Sequence, residues 1–145
     1  MKIIIDYNSS LAETEIHIKC SSVNEQIENL ISEICIADSK IVGYIDNETF
    51  FIPLSDILYF EVVDSKAFFY TKEKYYRYKS TLVALEEKLK NTSFLRVSKT
   101  VIANLKKLTS IKKSENSKLI ATLINGEKLV ISRKYVNEIK RKLEV

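Results

Sequence analysis

Glycine, proline, histidine and cysteine are all scarce in this chain. Its 145 residues include two glycines, one proline, one histidine, two cysteines and no tryptophan. Two glycines cannot supply the glycine-rich loops that hold nucleotide phosphates, and neither G-x-G-x-x-G nor G-x-x-x-x-G-K-[ST] occurs. Stretches rich in proline, glycine and serine, which mark linkers, are absent as well. The composition argues against nucleotide-driven chemistry and favours a single compact body.

Groups that could hold a metal or attack a substrate are equally few. Cys20 and Cys35 form no Cys-x-x-Cys motif, and His17 has no obvious acid or nucleophile beside it. Zinc sites and nucleophilic centres usually combine histidine with cysteine, aspartate or a second histidine. We interpret His17 as a surface residue and expect no metal, no cofactor and no enzymatic activity. Both thiols are expected to be reduced, which favours a cytoplasmic protein.

Long hydrophobic segments are missing too. The longest apolar runs, such as residues 50–54 and 57–60, stop at polar or charged residues. A membrane-spanning helix needs about 20 apolar residues. The N-terminal residues lack the length and cleavage site of a signal peptide. The sequence therefore predicts no membrane span, and we expect cytoplasmic localisation.

Charge is divided unevenly along the chain. Residues 1–40 contain three lysines against seven acids, whereas residues 41–145 contain twenty lysines and arginines against twelve acids. A surplus of cations on one segment favours an anionic partner, because lysine and arginine that neutralise phosphates release counterions. A basic surface that serves only solubility fits the same counts.

The first forty residues have the pattern of a β-β-α appendage. Met1–Asp6 and Thr14–Cys20 are predicted strands, the second with Ile16 and Ile18 on one face. Ser21 and Ser22 are candidate N-caps of the following helix, and Asp38 and Ser39 mark its end. Its apolar stripe consists of Val23, Ile27, Leu30, Ile31 and Ile34. A unit this small is not expected to be stable alone.

From Ile41 onward the sequence predicts mainly antiparallel strands. Aromatic and β-branched residues alternate with polar turns, as in successive hairpins. A short helix is expected on Leu82, Leu85 and Leu89, and a last helix after Ser132 with Tyr135, Val136, Ile139 and Leu143 buried. The other predicted strands are 41–45, 49–54, 57–63, 67–71, 75–79, 105–111, 119–124 and 128–131. Asn125-Gly126 predicts a tight hairpin turn with positive φ at both residues.

The stretch Phe94–Leu105 mixes apolar and hydrogen-bonding residues at irregular spacing. We interpret it as a loop pinned by Phe94, Val97 and Val101, because binding residues concentrate on loops held by a scaffold. Its polar members are Ser98, Lys99, Thr100 and Asn104.

Four motifs in order resemble the LytTR DNA-binding domain of LytR/AlgR-type bacterial regulators. They are Asp56-Ile57-Leu58-Tyr59-Phe60-Glu61, the Leu82/Leu85/Leu89 helix, Phe94 to Leu105, and Asn125-Gly126 followed by Val130-Ile131-Ser132-Arg133. The resemblance covers residues 41–145. It implies an elongated, mainly β fold of two small packed sheets with few helices, whose loops enter successive major grooves at imperfect repeats. Relatives carry a receiver domain in front, so this chain resembles a short form of the family that lacks one.

The resemblance also implies which residues contact DNA. Arg133 stands where the family has an arginine just before the last helix, and Lys66 lies in a third loop that approaches DNA. Ser98 and Lys99 occupy places where the family commonly has histidine and then arginine or asparagine. The full set of expected DNA-binding residues is Arg133, Lys99, Ser98, Lys66, Lys134, Thr100 and Asn104. Asn104 and Lys99 also have ordinary interpretations, as a side chain that ties the loop to its own backbone and as a solvated lysine.

Arg133 also breaks a local rule. A helix N-terminus carries partial positive charge, so Arg133 and Lys134 in the first turn are unfavourable there by roughly 0.3–1 kcal/mol each. A broken local rule indicates function. Free N–H groups, the helix dipole and two cations suit a phosphate, and arginine can also bind guanine with two hydrogen bonds.

These patterns predict a sequence-specific, double-stranded DNA-binding transcription regulator. It is expected to be a homodimer, paired through Ile27, Leu30 and Ile34 of the appendage, with a small membrane protein as a possible partner. The alternative is a protein-interaction module that docks an inhibitor or membrane partner and contacts nucleic acid only incidentally. A third interpretation, single-stranded or RNA binding, depends on Tyr75, Tyr76 and Tyr78 acting as a stacking platform.

Overall fold

The computed structural model describes residues 1–145 apart from the side chain of Ser32. The helices are α1 (Glu25–Asp38), α2 (Leu82–Lys88) and α3 (Arg133–Leu143), and none of them, in the chain so described, is long and apolar enough to cross a bilayer. The strands are β1 (Lys40–Ile45), β2 (Glu48–Pro53), β3 (Tyr59–Val63), β4 (Lys66–Tyr70), β5 (Tyr75–Tyr78), β6 (Phe94–Ser98), β7 (Val101–Asn104), β8 (Leu108–Lys113), β9 (Leu119–Leu123) and β10 (Lys128–Ile131).

The strands form two antiparallel sheets, as predicted. One sheet has seven strands in the order β2-β1-β5-β4-β3-β7-β6, and the other has three in the order β10-β9-β8. Tight turns set the register of the larger sheet. Val63 of β3 pairs with Lys66 of β4, so only Asp64 and Ser65 lie between them, both with positive φ. Positive φ at both central residues is characteristic of the type I′ turn, whose twist matches that of the two strands it joins.

The larger sheet separates two hydrophobic cores. On one face, Ile36 of α1 and Leu85 of α2 belong to the same cluster as Phe60 and Phe69. We call this cluster, which lies under α1 and α2, the helix-side core. On the other face, Leu58 and Tyr59 belong to a cluster with Ile131 and with Ile139 of α3. The molecule therefore has three layers: two helices, the seven-stranded sheet, and the three-stranded sheet with α3.

Strand β7 is buried on both faces. All four of its residues are buried, with Ile102 in the helix-side core and Val101 and Ala103 in the other. A strand buried on both sides loses the alternation of apolar and polar residues that marks a half-exposed strand.

A tyrosine pair also connects the two sheets. The Tyr59 hydroxyl donates to Oε2 of Glu127, in the β9–β10 turn, at 2.7 Å. The Tyr59 ring stacks on Tyr70 with 4.4 Å between centroids. Tyr70 in turn donates to Glu61 at 3.2 Å.

The two strands expected at the N-terminus are absent. Residues 1–24 have no regular secondary structure apart from a turn at Asn8–Leu11. An isolated two-stranded hairpin is marginal in water, and neither sheet pairs with this segment. The predicted helix is present as α1, but its N-cap is Asn24, whose Oδ1 accepts from the Ile27 amide at 3.0 Å, instead of Ser21 or Ser22.

Helix α1 is attached to the rest of the protein at its C-terminal half. Ile36 is buried in the helix-side core, and Glu33 forms an ion pair with Lys106. Ile27, Leu30 and Ile34, the stripe expected to pair subunits, are half-buried. Part of that stripe is therefore already covered within one chain.

Candidate nucleic-acid interface

The expected loop at Phe94–Leu105 is a β-hairpin, which corrects the sequence interpretation. Strands β6 and β7 pair from Phe94 with Asn104 to Ser98 with Val101, leaving Lys99 and Thr100 as a two-residue turn. Both turn residues are exposed, and Ser98 is half-exposed. Thr100 also donates its amide to the Ser98 hydroxyl at 3.3 Å. The hairpin presents these three polar side chains together at one end of the large sheet.

A bulge in β6 connects this hairpin to α3. Arg96 pairs with Ile102 and Ser98 with Val101, so Val97 is an extra residue in the ladder. Its freed carbonyl accepts the amide of Ser132 at 2.8 Å. Because Ser132 immediately precedes α3, this bond holds the start of the helix beside the Lys99 turn. Bulges often redirect the chain next to functional sites.

The β3–β4 turn lies on the other side of the hairpin. The Val62 amide donates to the Thr100 carbonyl at 2.9 Å, extending the contact between β3 and β7 to the turn. Lys66 begins β4 directly after Asp64 and Ser65 and is exposed. Two backbone hydrogen bonds therefore bring together three chain segments that are distant in sequence. We call this edge, formed by residues 64–66, 98–100 and 132–134, the basic edge.

The start of α3 carries the two cations expected from the sequence, and it has no side-chain cap. Ser132 is the N-cap residue, but its side chain makes no capping hydrogen bond, and the first turn contains no acid. Arg133 and Lys134 are exposed. The ammonium of Lys134 lies 5.5 Å from the Tyr135 ring centroid. The Tyr135 amide donates to the Ser132 carbonyl at 2.8 Å, so the amides of Arg133 and Lys134 are the N–H groups of the first turn that remain available to an anion.

Few acids balance these cations. In the part of the chain that the structure describes, Lys66, Lys99, Arg133 and Lys134 form no ion pair with a carboxylate. Asp64 is the one acid within the basic edge, and it is exposed. Four unpaired cations at one edge give a local positive potential that attracts polyanions.

Asn104 does not belong to the basic edge. It is 3% exposed and lies at the opposite end of β7. Its Oδ1 accepts from the Ser93 hydroxyl at 2.8 Å and from the Lys106 amide at 3.2 Å, and its Nδ2 donates to the Ile57 carbonyl at 3.1 Å. A buried amide with all these partners fixes the backbone, so we remove Asn104 from the expected DNA-contacting set.

Arg96 also belongs to the site, although it is not among the DNA-binding residues expected from the sequence. Its guanidinium donates to the Lys99 carbonyl at 2.8 Å and to Glu86 of α2 at 3.2 Å. The side chain is only 12% exposed. Arg96 therefore links the backbone of the Lys99 turn to helix α2. The sequence could suggest pairing with Glu86 or Glu87, but the bond to the turn depends on the hairpin.

Comparisons with known proteins agree with this architecture. The LytTr DNA-binding domain of a Bacillus cereus protein superposes with a TM-score of 0.70 at 24% identity, covering 74% of this chain and 99% of that domain. The Sensory transduction protein LytT of Bacillus cereus is 31% identical over 88% of this chain, which spans about half (52%) of that protein. An uncharacterised HTH-type transcriptional regulator of Staphylococcus aureus is 27% identical over 100% of this chain and 99% of its own.

The family model described as LytTr DNA-binding domain matches residues 47–144. That match includes every residue of the basic edge, and it covers well over half of the chain. The family is a DNA-binding domain and not an enzyme family, which confirms the prediction that this chain is not an enzyme. This chain belongs to the LytTr DNA-binding domain family.

Proposed function

We propose that this protein is a transcription regulator that binds double-stranded DNA in a sequence-specific manner through the basic edge. The observation that carries the proposal is the convergence of three segments, joined by the Ser132–Val97 and Val62–Thr100 hydrogen bonds, that present four unpaired cations. The family assignment and the relative named as a transcriptional regulator support the same function.

We assign different roles to the cations. Arg133 has the fork of donors that binds guanine with two hydrogen bonds in the major groove. Lys99, at the tip of a turn, acts as a charge on a phosphate, and Lys66 and Lys134 add to the same field. Ser98 and Thr100 supply hydroxyls to phosphate or base edges. No two α-helices are consecutive in the described chain, so it has no helix-turn-helix motif there. In this proposal two turns and the start of α3 contact the DNA instead.

The other parts of the proposal follow from this function. Imperfect DNA repeats would be read by two copies of the chain, one on each half-site, in the bacterial cytoplasm. A homodimer doubles the number of phosphate contacts and so steepens the salt dependence of binding. A small membrane protein is the further partner we propose, to be sought by pull-down with the full chain.

Tyrosine stacking on single strands is not favoured by the geometry. Tyr76 is 6% exposed and packs in the helix-side core, and Tyr78 packs against the same core. Only Tyr75 of the three is largely exposed, at 62%. A single exposed ring does not make a platform on which successive bases stack.

A gel-shift titration with the region upstream of the chain's own gene tests the proposal. We expect that duplex to be shifted at lower protein concentration than scrambled duplex or single strand. Lys99→Ala should weaken binding to every duplex and reduce the slope of log affinity against log salt by about one. Equal affinity for duplex and single strand, or an unchanged slope in Lys99→Ala, would contradict it.

A further inference from the structure

The first twenty residues carry large apolar side chains that the rest of the chain does not cover. Five isoleucines there are between 37% and 81% exposed: Ile3, Ile4, Ile5, Ile16 and Ile18. Several large apolar side chains exposed within one short stretch of chain are typical of an interaction site. Exposure alone does not identify the partner, but the charges around these isoleucines do.

Residues 15–19 are complementary to themselves. The sequence reads Glu-Ile-His-Ile-Lys. If this segment pairs antiparallel with a second copy of itself, centred on His17, then each Glu15 lies opposite a Lys19 and each Ile16 opposite an Ile18. Opposite charges on directly paired positions stabilise a sheet. The contact of 3.0 Å between His17 and Glu15 puts these two side chains on the same side of the segment, as alternation requires.

Residues 2–6 repeat the same arrangement. The sequence reads Lys-Ile-Ile-Ile-Asp. Antiparallel pairing with a second copy, centred on Ile4, sets each Lys2 opposite an Asp6 and each Ile3 opposite an Ile5. Two separate segments of one acidic region therefore have the charge pattern of a symmetric strand pair.

The same charges oppose a hairpin within one chain. In the antiparallel register that aligns the two isoleucine segments, Lys2 faces Lys19 and Asp6 faces Glu15. Like charges directly opposite each other destabilise a sheet. In the structure of the single chain the two segments do not pair with each other. The backbone does not account for this, because none of the described residues 1–24 has a positive φ.

We propose that residues 2–6 and 15–19 form an interface with the same segments of a second copy of this chain. Each segment pairs antiparallel with its own copy in the second chain. The two ribbons share one two-fold axis, which passes midway between the two copies of His17 and midway between the two copies of Ile4. A single two-stranded ribbon is marginal, but two stacked ribbons cover each other's Ile3 and Ile5 on one side and Ile16 and Ile18 on the other, because alternation puts these pairs on the facing sides. A closed two-fold interface of this type joins two copies and no more. The proposal supplies an interface for the homodimer that the proposed function uses, and it leaves the basic edge free.

Charge reversal tests the register on the full chain without DNA. Glu15→Lys places two lysines opposite each other twice, and Lys19→Glu does the same with acids. Each variant alone should raise the dimer dissociation constant at least about tenfold in sedimentation velocity. An equimolar mixture of the two should dimerise as the wild type does, because in the mixed dimer every lysine at these positions lies opposite a glutamate. Glu13→Lys is the matched control, since its opposite residue is Ser21, and it should leave dimerisation unchanged.

Cross-linking tests the symmetry independently. Directly opposite residues have Cα atoms about 4.5–5.5 Å apart, within the range for a disulfide. In a background of Cys20→Ser and Cys35→Ser, His17→Cys should form a disulfide-linked dimer under mild oxidation. Thr14→Cys, equally exposed but far from its own copy in this register, should not.

Three results would overturn the proposal. They are a wild-type chain that stays monomeric up to about 1 mM, a mixture of charge variants no more dimeric than either alone, and equal cross-linking at positions 14 and 17. Because no DNA is present, none of these results would count against DNA binding by the basic edge, and a failed gel shift would not count against this interface.

Discussion

Arg133 is the residue on which function and stability should diverge. It is the first residue of α3, it is exposed, and it forms no ion pair within the described chain. Arg133→Ala should therefore cost about 1–3 kcal/mol of specific DNA binding. Its melting temperature should hold or rise slightly, because one unfavourable charge leaves the start of the helix.

Binding to operator and to random duplex, measured beside thermal unfolding, checks this expectation. Arg141→Ala is a suitable control, because it removes an arginine from the last turn of the same helix. A fall of several degrees in Arg133→Ala with an unchanged preference for operator would identify Arg133 as a structural residue.

Asn104 should behave in the opposite way. Replacing it by alanine leaves the Ile57 carbonyl and the Lys106 amide without their side-chain partners in a buried position. We expect a loss of about 1–3 kcal/mol in the free energy of unfolding, measured by urea titration. The folded fraction should still bind DNA with normal salt dependence. A stable Asn104→Ala that binds DNA poorly would return this residue to the interface.

At the scale of elements, the β6–β7 hairpin shows where sequence reasoning stops. From residue 41 onward, the alternating strands, the helices with an apolar stripe and the Asn125-Gly126 hairpin were predictable, although only Gly126 of that turn has positive φ. The alternating segment Thr14–Cys20, by contrast, is not a strand. Residues 94–105 show no regular alternation of apolar and polar residues, because β7 is buried on both faces and the bulge at Val97 shifts the alternation of β6. Residue types in the turn identified Lys99 and Thr100, but the hydrogen bonds that place them beside Arg133 depend on the folded sheets.

Arg96 should influence DNA binding through the hairpin it supports. Arg96→Ala removes the donor to the Lys99 carbonyl, so the turn loses its link to α2. We expect DNA affinity to fall several-fold, by roughly 1 kcal/mol, for operator and random duplex alike. Glu86→Ala removes only the far partner and should have a smaller effect. If both variants weaken binding equally, the Lys99 carbonyl contact is not what matters.

At the scale of the whole molecule, the tyrosines between the sheets predict sensitivity to alkali. Burial, then the hydrogen bond to Glu127, raises the pKa of Tyr59 far above its ordinary value. Burial, then the charge of Glu61, raises the pKa of Tyr70 to about 12. The unfolded chain loses these protons near pH 10 while the folded chain keeps them. The contribution of the two protonated tyrosines to the free energy of unfolding is therefore complete below pH 10 and is lost as the pH rises toward 12 and above.

Urea unfolding at several pH values between about 9 and 11 measures this effect. The free energy of unfolding should fall with pH, and Tyr59→Phe should make the fall shallower. Tyr7→Phe, which alters a tyrosine that is 94% exposed, should follow the wild type. A slope that Tyr59→Phe leaves unchanged would assign the alkaline loss to other groups.

Burial of β7 on both faces has a further consequence for how the molecule comes apart. Its two faces belong to different cores, so neither the helical layer nor the three-stranded layer can leave without exposing one side of the same strand. The two layers should accordingly be thermodynamically coupled, with one shared transition instead of two. Amide hydrogens of β7 should exchange only through global opening and so be among the slowest in the chain. The strand that begins directly after the Lys99 turn would then be the last part of the protein to unfold.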